Sequence, residues 1–242
     1  MVISLAGEPV AQRWTPTAKN KMKTSRTDTV KSLLSFFKTA DHRPDVFISG
    51  SAIGWYGIHD VQSFTESDGP ANNAGGKFTK EVCHELERES LKAEKLGIRT
   101  VLLRTGIVLE KDGGTLAELL FPFDFGVGGP LGNGKQWFSW IHRKDIIGLI
   151  FFAIQNPHIS GPLNGTAPEP VTNKAFSQEL GRAMKRPSFL PLPEFVLTLV
   201  FGEMAEEVML NGQKVIPEKA LNSGYKFAYP TLSKALSDIF QI

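Results

Sequence analysis

An α/β fold on a parallel sheet covered on both faces is predicted by the order of patterns along these 242 residues. Three observations carry it. Short apolar, β-branched runs alternate with longer segments whose apolar residues recur at helical spacing. Glycine, proline, asparagine and aspartate cluster between them. With 41% hydrophobic and 21% charged residues, the chain can bury one large core, with room for a small appended domain.

Val2 to Leu5 reads as a strand, and Ala6-Gly7-Glu8-Pro9 turns out of it. Thr15-Pro16 opens a helix, threonine as N-cap and proline at the first helical position; Met22, Val30, Leu33, Leu34 and Phe37 supply its apolar face. Pro44 ends the connection and Val46 to Ser49 is the next strand. A loop follows from Gly57 to Gly76, then a helix from Phe78 to Lys95 in which Phe78, Val82, Leu86 and Ala93 share one side. Arg99 to Leu103 is a third strand. The glycine-rich stretch from Gly113 closes with Gly132-Asn133-Gly134, a hairpin signal. Asp145 opens a helix through Ile154, and Thr172-Asn173 caps another through Met184. Pro191 and Pro193 mark a joint, so residues 1–187 read as the main domain and 188–242 as a small, mostly helical tail.

A formal charge of +2 argues for neither nucleic acid nor membrane. The basic residues near the start, Lys19, Lys21, Lys23, Arg26 and Lys31 among them, fit a solvated helix face or a phosphate-facing patch. One cysteine, Cys83, excludes an internal disulfide framework and suits a reducing compartment; it reads as a packed thiol. The longest apolar run, Ile146 to Ile154, is too short to span a bilayer and is broken by Gly148. The expectation is an intracellular protein, cytoplasmic or organellar, with no metal site.

A dinucleotide-binding unit opens with a strand, a G-x-G-x-x-G-type turn that holds pyrophosphate, and about 20 residues later a ribose reader. No such loop precedes Val2. Yet Leu5-Ala6-Gly7, Ser49-Gly50-Ser51-Ala52 with Tyr56-Gly57, Arg104-Thr105-Gly106-Ile107-Val108, Trp140-Ile141-His142-Arg143-Lys144-Asp145 and Gly161-Pro162-Leu163-Asn164-Gly165 resemble, in order and spacing, the extended short-chain dehydrogenase/reductases. Within them the chain is similar to the atypical "epimerase family" group, described in bacteria as nucleoside-diphosphate-sugar epimerases or cell-division-inhibitor-like proteins. The group-specific pieces are Gly7-Glu8-Pro9 with Arg13-Trp14, Pro122 followed by Gly126-Val127-Gly128-Gly129-Pro130, and Gly212-Gln213-Lys214-Val215-Ile216-Pro217 in a tail that resembles the group's C-terminal domain of unknown function.

The resemblance implies a Rossmann-like doubly wound parallel sheet, N-terminally incomplete, in which Val2 to Leu5 would be the fourth strand. That strand would become an apolar edge with unpaired amides, as expected of a truncated or mispredicted product, or of a chain whose phosphate-binding half is supplied separately. It also implies NADP as cofactor, along Leu5, Ala6, Gly7, Arg26, Ser49, Arg104, Gly106, Ile107 and Val108. Read from the residues alone, Leu5 to Gly7 can equally be a strand-ending turn and Arg26 a surface charge.

Catalysis departs from the broad family. Short-chain dehydrogenases pair a Ser or Thr with Tyr-x-x-x-Lys, the lysine tuning the phenol for proton exchange. Ser51 matches the first element, but Phe78 and Val82 stand at the other two positions, and Lys80 faces another side of the helix. Tyr56 and His142 are the candidate replacement proton donors; each can instead be structural, the histidine by capping the helix at Asp145. Phe78, Trp137, Phe138 and Trp140 would wall a substrate pocket, or pack in the core. Two functions follow: an NADP-dependent oxidoreductase or sugar-nucleotide epimerase-like enzyme acting on an unidentified small molecule, or a catalytically weak cofactor-sensing or interaction protein. A homodimer through the helices near Thr17 to Lys38 and Phe78 to Lys95 is plausible on the resemblance.

Overall fold

The computed structural model describes residues 1–71 and 76–242, so the part of the Gly57 to Gly76 loop at 72–75 lies outside the described residues. In chain order the elements are β1 (Val2–Ser4), α1 (Pro16–Thr39), β2 (Val46–Ala52), β3 (Ser63–Phe64), α2 (Lys77–Ser90), β4 (Arg99–Thr105), β5 (Ile107–Leu109), α3 (Gly114–Asp124), β6 (Trp137–Phe138), β7 (Trp140–His142), α4 (Arg143–Gln155), β8 (Gly161–Gly165), β9 (Val171–Thr172), α5 (Asn173–Met184), α6 (Glu194–Phe201), β10 (Lys214–Val215), α7 (Glu218–Asn222) and α8 (Leu232–Phe240). No described helix is long and apolar enough to cross a membrane.

Four parallel strands in the order β1-β2-β4-β8 form the main sheet. Because successive side chains point to opposite faces, Phe47 joins Val30, Leu34, Phe37 and Leu86 under α1 and α2. Its neighbours Val46 and Ile48 join Val101, Leu103, Ile146, Leu149 and Leu163 under α4. The helices start where local chemistry dictates. Thr15 Oγ1 accepts from Ala18 N with Pro16 leading α1, and Thr172 Oγ1 accepts from Ala175 N ahead of α5. β1 pairs only with β2 among the described residues, and its flank is apolar and open: Ile3 is 40% and Leu5 60% exposed.

One local expectation is corrected. Gly132 and Gly134 do turn the chain, at φ 58° and 70°, but the flanking segments do not pair as a hairpin. Leu131 bridges Leu192, and β6 pairs antiparallel with β9, because a longer-range ladder with α5's leading strand buries Phe138 against Phe176. The glycine-rich stretch also holds a helix, α3, whose Leu116 and Phe123 are buried. Its glycines sit at the helix start and beyond its end, where they read as loop.

The tail is mostly helical but has no core of its own among the described residues. Leu232, Ala235 and Leu236 of α8 pack with Leu109, Leu116, Phe123, Trp140, Phe176 and Leu180. Ala220 of α7 joins the cluster under α4, and Met204 packs with Trp14, Ala18 and Met22. β10 pairs in parallel with β3, inside the loop after β2.

Buried or half-buried carboxylates stitch the tail on. Glu207 receives Phe78 N at 3.1 Å and Thr79 N at 3.0 Å, capping α2, which has no side-chain cap of its own. Glu66 receives Asn164 N at 2.9 Å and Lys219 N at 3.1 Å. Asp145 receives Ala228 N at 2.8 Å and Tyr229 N at 2.9 Å. A chain ended at Pro187 would therefore lose one wall of every core it shares with the tail. Thermal denaturation followed by circular dichroism is expected to lose its cooperative transition; a sharp transition would mean that residues 1–187 fold unaided.

Candidate functional site

In open α/β sheets, ligands bind in the crevice beyond the carboxyl ends of the strands. A cleft of about 360 Å³ lies there, at the ends of β1, β2 and β4. Leu5 and Ala6 after β1, Gly50, Ser51 and Ala52 of β2, and Leu103 and Thr105 of β4 form its floor. Val82, Cys83 and Leu86 of α2 make one wall; Ile146, Ile147 and Ile150 of α4 make the other with Val108, and Arg26 of α1 closes the set.

The turn after β1 is shaped by two small residues. A Cβ on Gly7 would lie 2.7 Å from Arg26 Cζ, so glycine is what lets the guanidinium lie across the turn. Arg26 Nη1 then donates to Glu8 O at 3.0 Å and Met22 O at 2.9 Å, while Glu8 N donates to Ser25 Oγ at 3.0 Å. Burial pulls the Arg26 pKa down, so an anion beside it would be favoured. At Gly50 a Cβ would press on Leu5 Cδ2 at 3.1 Å and Ser4 O at 3.2 Å, which keeps β1 and β2 close at the cleft floor.

Ser51 is anchored from behind. Its hydroxyl donates to Glu87 Oε1 at 2.8 Å. Arg104 clamps the same carboxylate, Nε to Oε1 and Nη2 to Oε2, both at 2.9 Å, with both side chains buried. The guanidinium carbon lies 3.4 Å from the centre of the Trp55 ring, and Nη1 is buried without a hydrogen-bond partner. Cys83 is buried; burial pushes its thiol from the ordinary 9.0 up to about 11.

Of the residues expected at a cofactor or catalytic site, the structure brings together Leu5, Ala6, Arg26, Ser51 and Val108, with Gly7 under Arg26. Others lie elsewhere. Ser49 Oγ sits 2.8 Å from Ser90 Oγ in the helix-covered interior. Arg104 is spent on Glu87. Gly106 is a packing glycine: its Cβ would stand 2.4 Å from Ser139 O, and Ile107 N donates to that same carbonyl.

Tyr56 is fully buried, its hydroxyl 2.8 Å from Asn164 Oδ1 and 3.0 Å from Thr65 O, and burial raises its pKa. It does not line the cleft. His142 caps α4 through Nδ1, which accepts from Lys144 N at 3.1 Å, and it stacks on Tyr229 with Nε2 3.3 Å from Asp238. The capping role explains it, and burial lowers its pKa. Phe78 packs edge-on against Trp14 with Lys19 Nζ 4.8 Å above its ring. Phe138 and Trp140 are core, while Trp137 donates to Asp60 O at 2.9 Å under Lys214, so these aromatics form no wall of the cleft.

Glu87 and the Ile146, Ile147 and Ile150 wall escaped sequence reasoning. Glu87 left a trace: it follows Cys83 by four positions on the buried side of α2, and Arg104 is a fully buried cation in an apolar strand. Among the described residues that line the cleft, the ionisable ones are Arg26, whose pKa burial lowers, and Cys83, whose thiol burial raises to about 11. No described group of three or more His, Cys, Asp or Glu could hold a metal ion.

Comparison with known proteins gives the following likenesses. Residues 192–239 match the family model "Domain of unknown function (DUF1731)". The chain is 43% identical over 243 residues to a chloroplastic epimerase family protein of Arabidopsis thaliana, an SDR39U1 homolog, covering 99% of this chain and 68% of the relative. It is 37% identical to the epimerase family protein YfhF of Bacillus subtilis, covering 98% and 77%. The crystal structure of human epimerase family protein SDR39U1 (isoform 2) with NADPH superposes with a TM-score of 0.90 at 32% identity, covering 99% of this chain and 81% of that one. That likeness bears out the Rossmann-like parallel sheet with flanking helices.

Two measurements check the site. Glu87→Ala strands a buried guanidinium and is expected to cost about 3–5 kcal/mol in urea unfolding. Glu87→Leu with Arg104→Met should recover most of it. For Cys83, the unfolded thiol loses its proton near 9 and the folded one near 11, so the unfolded chain binds fewer protons between them. Stability is expected to be unaffected by this group below pH 9 and to fall as pH rises toward 11, with a smaller fall in Cys83→Ala.

Proposed function

We propose, from the premise that this chain belongs to the epimerase family represented by SDR39U1 and YfhF, that it is an NADP(H)-binding protein of the short-chain dehydrogenase superfamily whose cleft lacks a proton relay. One observation carries the reading: the turn after β1, Arg26 and Ser51 converge on a single crevice where Val82 stands at the lysine position, while Phe78, at the tyrosine position, packs outside it against Trp14.

The residues present fit the cofactor. About 360 Å³, at the low end of ligand pockets, suits a nicotinamide ring with its ribose better than a whole dinucleotide. Leu5, Ala6 and Val108 would hold the ring, Arg26 would meet a phosphate, and Ser51 would face the second ligand. The human relative's structure with NADPH supports this. When bound, NADPH supplies a hydride. This chain's own residues bind, orient and exclude water, but Phe78 has no proton to give and Tyr56 and His142 are held elsewhere. The reading is therefore of a cofactor-responsive binding protein with slow or no turnover. Ser51, placed in the cleft, favours the second reading, an oxidoreductase or epimerase-like enzyme whose proton comes from solvent or substrate. The protein is intracellular on this reading, and the chloroplastic Arabidopsis relative favours an organelle.

Titration of NADPH into the chain, read by quenching of tryptophan fluorescence, is expected to saturate, with Arg26→Ala binding about tenfold more weakly as a charge-assisted contact is lost. NADPH consumption against a panel of ketones and aldehydes should stay at background. Rapid consumption abolished by Ser51→Ala would overturn the binding-protein reading in favour of the enzyme; no binding of NADPH at all would overturn both.

A further inference from the structure

The hydroxyl of Ser51 lies between two environments. Behind it stands Glu87, to which its hydrogen is given at 2.8 Å. In front is the cleft it lines. A hydroxyl has one hydrogen and two lone-pair sites, whereas an ionised carboxylate has only lone pairs. Arg104 holds both oxygens of Glu87 at 2.9 Å in a buried pair, so the carboxylate cannot turn round and donate. The Ser51 hydrogen is therefore committed away from the cleft; one of its two lone pairs can take the weak S–H donor of Cys83, and the other is free for a ligand in the cleft.

Resting on the reading of this cleft as the ligand site, we propose that Glu87 is a positioning residue that fixes Ser51 as a hydrogen-bond acceptor, so that the small molecule received there presents an alcohol hydroxyl in preference to a carbonyl oxygen. A carbonyl oxygen facing Ser51 sets lone pairs against lone pairs. Freeing the serine hydrogen for it would leave the buried carboxylate oxygen with Arg104 Nε alone, losing a hydrogen bond to a charged group. Apart from Ser51, the cleft surface is largely hydrocarbon, from Val82 and Leu86 on the α2 side and from Leu103, Val108 and Ile146 on the α4 side. The ligand's remaining body is accordingly apolar.

Cyclohexanol and cyclohexanone share a skeleton and differ in this one group. Their binding to the full chain without cofactor is measured by protein-observed NMR, in which amide shifts at Ser51, Val108 and Ile147 locate each probe. The alcohol is expected to bind about tenfold more tightly than the ketone. Ser51→Ala should bring the ratio near one. Glu87→Gln, whose amide can donate to Ser51 and release its hydrogen toward the cleft, should move the preference to the ketone. A purely structural role for Glu87 would weaken both probes together and leave the ratio unchanged. Where Glu87→Gln loses its thermal transition, the Ser51→Ala ratio alone decides. Equal affinities in the unaltered chain, with shifts in the cleft, would overturn the acceptor assignment and leave the site reading standing. Shifts elsewhere, or none, would overturn the site reading and the proposal with it.

Discussion

The buried pair of Glu87 and Arg104 is the constraint on which the site depends. It ties α2 to β4 and, through Ser51, to β2, so three elements meet at one carboxylate. A buried ion pair adds little stability over an apolar replacement, because desolvation consumes most of the attraction, yet losing one partner is costly. Its effect is geometric. The guanidinium lies against the Trp55 ring, and the carboxylate takes a fixed direction that the serine hydroxyl must follow. Helix, sheet and cleft floor thereby keep one register.

The tail is held by a related chemistry applied to the backbone. Glu207, Glu66 and Asp145 each receive two amides from segments distant in the chain. The first of these sits at the start of α2, where unpaired amides carry the positive end of the helix dipole. Ser139 adds a shared hydroxyl, donating to Gln213 O at 2.7 Å and accepting from Val215 N at 3.0 Å. Such contacts fix position more than they add stability, since each replaces bonds that the unfolded chain makes to water. The apolar clusters shared between the tail and the sheet supply the driving force.

What was legible in the sequence was what neighbouring residues decide. Thr15-Pro16 and Thr172-Asn173 mark helix starts because cap and capped amide lie within three positions. Strands β2 and β4 are legible because they are apolar runs buried on both faces, and Ser51 and Arg26 because they sit within short motifs. What escaped depends on partners far along the chain. Gly132 and Gly134 look like a hairpin, but Phe138 is drawn to Phe176. Gly106 looks like a cofactor glycine, but Ser139 O is what crowds it. His142 and Tyr56 carry chemistry able to move protons; their partners, Lys144 N and Asp238, Asn164 and Thr65, turn them to fastening. No local pattern announces that Glu87 will face Arg104.

The packing of α8 sets a timetable for synthesis. Leu109, Leu116 and Phe123 emerge long before Leu232 and Leu236, the residues that close their cluster. At ~5–20 residues per second, the earlier side chains wait on the order of 10 s for their last neighbours. During that interval the apolar surface of α3 stands without the side chains that complete its cluster. The length of that interval is set by the distance along the chain between α3 and α8.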